Sequence, residues 1–247
     1  MSFILAANWK MNKNPKETEE FFSDLLLQDW NNSLSRVFFV PAVNLVTTSN
    51  CLKGSSVQWG PQNIYSQESG AFTGENSPKV MADIGAQFAL VGHSERRSLF
   101  GETDEQTCLK IKALQEFSIS PILCIGETLD ERKSGKTLEV LKRQLSVGLS
   151  GVELKKELHI AYEPVWAIGT GEVATVEQVA EAHQSIREFL KNNYPNEENN
   201  MQILYGGSVK AASAGELSQV KEVGGFLVGG ASLKVDSFCD IAKAVLT

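Results

Sequence analysis

The chain has 247 residues, 42% hydrophobic and 21% charged, a composition that supports a sizeable core and excludes a disordered chain. Its formal net charge of -7 argues against nucleic acid or an anionic membrane as partner, so any anionic ligand must be captured by local positive groups. Four scattered cysteines without CxxC and three histidines without HExxH give no metal or disulfide framework, which fits a reducing cytoplasm.

The first residues carry no basic segment and only five consecutive apolar positions, Phe3 to Ala7, so neither a signal peptide nor a membrane span is expected. Short apolar runs then recur, beginning near Phe3, Val37, Val57, Phe88, Pro121, His159, Gln202 and Gly225. Near-continuous rather than alternating runs suit strands of a parallel sheet buried on both faces. Amphipathic stretches lie between them at 15–28, 103–117, 138–149 and 176–193; in the last, Val176, Val179, Ala180, Ile186 and Leu190 fall at helical spacing. Eight strand–helix units of roughly 30 residues, with no linker dividing them, predict one α/β catalytic domain over 1–247, a closed (β/α)8 barrel. The alternative is an open doubly wound sheet, against which no GxGxxG follows the first run.

In such barrels, catalytic groups stand where strands end. The first run delivers Asn8 and Lys10, with Trp9 expected to pack. The segment 62–78 is too long for an ordinary strand–helix connection. The fourth run delivers His93, followed by Ser94 and Glu95, good residues for opening a helix. A positive helix terminus at His93 disfavours imidazolium, so a neutral hydrogen-bond donor is expected. The sixth run ends in Glu163, a carboxylate beside apolar residues and so a candidate base. Pro164, Val165, Trp166, Ala167, Ile168, Gly169, Thr170 and Gly171 follow, either a packed loop or a lid. The seventh and eighth runs end in Gly206-Gly207-Ser208 and Gly229-Gly230, where backbone N–H groups can approach a phosphate. Taken singly, each position has an ordinary reading: a solvated lysine, a structural histidine, a salt-bridged glutamate, tight turns.

Together these segments resemble the triosephosphate isomerase family over nearly the whole chain. The resemblance rests on Asn8-Trp9-Lys10-Met11-Asn12, Gly70-Ala71-Phe72-Thr73-Gly74-Glu75, Val91-Gly92-His93-Ser94-Glu95-Arg96-Arg97, Ala161-Tyr162-Glu163-Pro164 continuing to Gly171, Tyr205-Gly206-Gly207-Ser208-Val209, and Gly225-Phe226-Leu227-Val228-Gly229-Gly230-Ala231. It implies a TIM barrel that interconverts dihydroxyacetone phosphate and glyceraldehyde 3-phosphate through an enediolate, in glycolysis and gluconeogenesis, without cofactor or metal. Glu163 would be the base, His93 the electrophile and proton shuttle, and Lys10 the stabiliser of negative charge. Asn8 would orient the substrate, and Gly169, Ser208, Gly229 and Gly230 would hold its phosphate. Glu95 would support Lys10, Pro164 to Gly171 would form the lid, and Thr73 would enter a partner subunit in a homodimer.

Two stretches depart from the family pattern. Glu172-Val173-Ala174 stands where Lys-Thr-Ala is common, changing the charge of the lid hinge. Lys210-Ala211-Ala212-Ser213 stands where Lys-Pro-Glu-Asn is common, at a helix start. The rival readings are a Schiff-base aldolase with Lys10 as nucleophile and a barrel kept as a binding scaffold.

Overall fold

The computed structural model describes residues 2–30, 33–168 and 172–246. Its strands are β1 (Phe3–Asn8), β2 (Leu34–Val40), β3 (Gln58–Pro61), β4 (Phe88–Val91), β5 (Ser120–Ile125), β6 (His159–Tyr162), β7 (Ile203–Tyr205) and β8 (Gly225–Val228). They form one eight-stranded sheet in the order β3-β2-β1-β8-β7-β6-β5-β4. Every paired neighbour runs parallel. The first and last strands are partners, with Ile4 opposite Gly225.

The remaining seam, between β3 and β4, is bridged by Gln87. Its N–H donates to the Trp59 carbonyl at 3.0 Å, and its side-chain oxygen accepts the Trp59 N–H at 3.1 Å. Gly60 makes that approach possible, because a Cβ there would stand 1.7 Å from the Phe88 carbonyl oxygen. The sheet thus curls into the predicted barrel rather than the open doubly wound alternative.

The strands are apolar throughout because both faces are covered. Ile4, Val37, Phe39, Leu90, Ile122 and Leu204 belong to a cluster that fills the barrel. Alternate residues such as Leu5, Phe38 and Leu123 belong to a second core with the surrounding helices. The helices Pro15–Leu26, Asp104–Glu116, Thr137–Gly148 and Val176–Asn193 match the amphipathic stretches. Three of these four start on a reciprocal side-chain cap, from Asn14, Thr103 and Thr175. On Val176–Asn193 the buried face also includes His183 and Arg187, polar residues that a hydrophobic pattern passes over.

Candidate active site

Asn8 closes β1, and Lys10 follows in a left-handed backbone conformation with φ 51°. That conformation is held from two sides. The Lys10 N–H donates to Asn8 Oδ1 at 3.0 Å, and its carbonyl accepts from Gln62 Nε2 at 2.9 Å. Gln62 also donates to the Phe39 carbonyl at 3.1 Å. Trp9 is fully buried and stacks on Phe22 at 5.2 Å, the packing role expected of it. The Lys10 ammonium reaches Glu95 Oε1 at 2.5 Å.

His93 caps the helix Ser94–Phe100, and its Nδ1 accepts the Glu95 N–H at 3.2 Å. An acceptor Nδ1 carries no proton, so the ring's proton is on Nε2. Nε2 faces Glu163 Oε1 at 3.0 Å. The other carboxylate oxygen of Glu163 accepts the Ser94 N–H at 3.0 Å.

Both groups are buried, and burial opposes charge on each. At Glu163 burial raises the pKa, but His93 and the Ser94 N–H lower it by more, leaving the carboxyl below its ordinary value and ionised at neutral pH. At His93 burial lowers the pKa, and the Glu163 carboxylate raises it by more. The carboxylate therefore makes the ring easier to protonate, and that help is lost once Glu163 moves away. The backbone N–H on Nδ1 belongs to the neutral form that the helix terminus predicts.

Beneath the pair, the buried Cys124 thiol is pushed well above its usual pKa by desolvation, so this floor stays uncharged. Gly126 crosses so close that a Cβ there would lie 1.7 Å from the Glu163 carbonyl oxygen.

These groups open onto a cavity of about 270 Å³ lined by Asn8, Lys10, His93, Glu163 and Ile168 together with residues 206–210 and 229–231. Strand ends of β1, β4, β6, β7 and β8 thus bring together Asn8, Lys10, His93, Glu163, Ser208, Gly229 and Gly230. Glu95 stands behind Lys10, on a neighbouring cavity of about 300 Å³ that Met11, Arg96 and Phe100 also line. Thr73 is exposed on the loop after β3 and lines neither cavity. Of the lid residues, Pro164 to Ile168 are described, with Val165–Ala167 forming a short helical turn. Gly169, Thr170 and Gly171 lie outside the described residues.

Sequence reasoning missed Glu127, fully buried just past β5. Its carboxylate accepts from Tyr162 Oη at 3.1 Å, Trp166 Nε1 at 2.9 Å and Arg132 Nη1 at 3.1 Å. Its carbonyl accepts the Val165 N–H at 3.1 Å. The signal was available: Ile125-Gly126-Glu127 ends a strand as Tyr162-Glu163 does. Gln62 gave no comparable cue, since only the fold brings it to Lys10.

A family model described as Triosephosphate isomerase matches residues 3–245. A Bdellovibrio bacteriovorus protein named triosephosphate isomerase is 50% identical, over 98% of this chain and 100% of its own length. Proteins of the same name from Acetivibrio thermocellus and Aquifex aeolicus are 45% and 44% identical. They cover 97% and 98% of this chain and equal shares of their own lengths.

Proposed function

The chain belongs to the triosephosphate isomerase family, and from that membership we propose how its own residues carry the reaction. The activity is the interconversion of dihydroxyacetone phosphate and glyceraldehyde 3-phosphate, a step of glycolysis and gluconeogenesis. One observation carries the assignment of roles: a buried carboxylate and an imidazole ring nitrogen face each other at 3.0 Å on the wall of a cavity that paired glycines also line.

Glu163 leaves Ser94 and His93 and takes a proton from the carbon beside the substrate carbonyl. His93 then donates its Nε2 proton toward the carbonyl oxygen. Once the carboxylate has turned to carbon, burial and the Glu95 N–H on Nδ1 both favour the neutral ring. The electron pair released from the C–H bond becomes the enediolate, whose negative charge faces the Lys10 ammonium. Glu163 returns the proton to the neighbouring carbon, while Nε2 of His93 recovers a proton from the hydroxyl on the carbon first deprotonated, so the new carbonyl forms there and the neutral ring is restored. No electron is gained or lost overall, so the chemistry calls for no redox cofactor.

Ser208, Gly229 and Gly230 hold the phosphate, with Gly169 completing the set. Phosphate binding fixes the reacting carbons between base and acid. Asn8 orients the substrate and shapes the Lys10 backbone, Glu95 holds the Lys10 side chain, and Pro164 to Gly171 cover the bound triose. The Lys10–Glu95 ion pair speaks against the aldolase reading, because a Schiff base needs a free neutral amine.

Residues 1–247 act as one domain in the cytoplasm, and two copies pair through the loop after β3. That loop is braced internally, Tyr65 N–H to the Asn76 carbonyl at 2.9 Å and Tyr65 against Phe72 at 4.4 Å. It presents Thr73 outward, and the cavity behind Lys10 on a second copy is the matching recess. No described helix is long and apolar enough to cross a membrane.

A coupled assay starting from glyceraldehyde 3-phosphate tests the assignment. Isomerisation by the wild type and its collapse in Glu163→Gln are expected. A Glu163→Gln enzyme that retained wild-type turnover would overturn it.

A further inference from the structure

Lys210 lines the active cavity together with Lys10, yet the two cations are in different situations. Lys10 is spoken for by Glu95 at 2.5 Å. Among the described residues no carboxylate pairs with Lys210, and its side chain is exposed. It stands two residues beyond Ser208, at the mouth of the half of the cavity formed by the paired glycines.

Its local position is poor for stability. Lys210 is the residue immediately before the helix Ala211–Ser218, with extended φ -131° and ψ 160°, and its side chain makes no cap hydrogen bond. Serine, asparagine or aspartate would satisfy a helix-start N–H there. A cation at a helix N-terminus also opposes the helix dipole. The residue therefore sits where helix formation alone would select against it.

We propose that Lys210 is an electrostatic steering residue, drawing the doubly charged triose phosphate toward the glycine loops against the chain's overall negative charge. The proposal rests on the isomerase reading above. With a net charge of -7, the mean field repels a phosphate dianion, and local positive groups at the cleft set the capture rate. The helix terminus and the Lys210 ammonium add their potentials at the same place. Lys210 thus acts on substrate capture rather than on proton transfer.

The test compares the wild type with Lys210→Ser, Lys210→Glu and Lys210→Arg at rising ionic strength. A unit charge about 7 Å from a singly charged group in water changes association by roughly threefold, and more for a dianion. Lys210→Ser should lower kcat/KM by roughly threefold to tenfold at low salt, with kcat nearly unchanged. Lys210→Glu should lower it further, and Lys210→Arg should restore it. The differences should shrink as the screening length falls to about 3 Å near 1 M salt. The inhibition constant for inorganic phosphate should rise in parallel, while turnover of unphosphorylated glyceraldehyde should stay the same. Lys210→Ser should also melt at a higher temperature than the wild type, because it gains a cap. Equal kcat/KM at low salt for wild type and Lys210→Ser would overturn the proposal, as would a deficit that salt leaves untouched or an equal loss with glyceraldehyde. A wild type with no isomerase activity would instead defeat the functional reading on which the proposal rests.

Discussion

The Trp166 indole N–H donates to Glu127 Oε1 at 2.9 Å, linking the turn after β6 to the end of β5 across 39 residues of sequence. The same carboxylate collects Tyr162 and Arg132, and Arg132 lies 5.2 Å over the Trp166 ring. The turn that follows the catalytic carboxylate is thereby fastened to the neighbouring strand.

Replacing Glu127 with Gln should loosen that fastening. Removing one partner of a buried charged hydrogen-bond group costs about 1–3 kcal/mol or more, so a lower melting temperature is expected. The chemical groups remain, but their cover does not. An enediolate beside a phosphorylated carbon can expel phosphate, so a larger fraction of consumed substrate should become methylglyoxal and inorganic phosphate. Product partitioning by NMR reads this without reference to total activity, and an unchanged ratio would remove Glu127 from the account.

Glu163→Asp keeps the carboxylate and withdraws it by one methylene. A misplacement of about 1 Å costs on the order of 100-fold, so kcat should fall at least that far while KM changes little. Near-full turnover would mean that Glu163 is not the positioned base.

Gly126→Ala probes the same geometry from the backbone. Its Cβ would meet the Glu163 carbonyl oxygen at 1.7 Å, so β5 and the end of β6 must separate. We expect the loss in kcat to approach that of Glu163→Asp although no catalytic group has changed. A crystal structure of the variant should show Glu163 displaced, and wild-type kcat would show that the seam can adjust.

Acid stability follows from two histidines outside the site. His159 and His183 are buried, and desolvation lowers each pKa to about 4. His159 Nδ1 accepts the Gln202 N–H at 3.1 Å, and His183 Nδ1 faces the Glu222 carbonyl at 3.1 Å. Below the ordinary value of about 6.5 the unfolded chain binds protons that the folded chain refuses. The stability these groups contribute is therefore full above that pH and lost progressively as pH falls toward 4. Denaturant midpoints measured between pH 7 and 4 should fall steadily, and His159→Gln should flatten part of the slope. A flat wild-type profile would contradict the assignment.

Deleting residues 70–74 removes the tip of the loop after β3, including Phe72 and Thr73. Light scattering should then report a monomer, and the same sample should be a poor isomerase. Full activity in a monomer would rule out the pairing we propose.

The barrel was legible because burial on both strand faces leaves uninterrupted apolar runs, and seven of the eight predicted strand starts fall within one residue of the observed ones. Strand β2 begins at Leu34 rather than near Val37, because Arg36 interrupts the run while being itself buried and bonded to Ser56 at 2.7 Å. The polar residues at strand ends were legible for a different reason: a charge directly after an apolar run has few structural explanations. Gln62 and Arg187 left no such trace. Gln62 bonds the Lys10 and Phe39 carbonyls, backbone atoms that every sequence possesses, and Arg187 bonds the Glu222 carboxylate at 2.8 Å, a partner 35 residues away that no local pattern singles out.

The pairing of Ile4 with Gly225 has a consequence for synthesis on the ribosome. The strand made first must wait for the strand made last, and until β8 emerges one edge of β1 offers unpaired amides to any neighbouring chain. A message cut short before β8 would also lack Gly229 and Gly230. Its product should be an aggregating polypeptide that quality control must clear, rather than a feeble enzyme that the cell could still use.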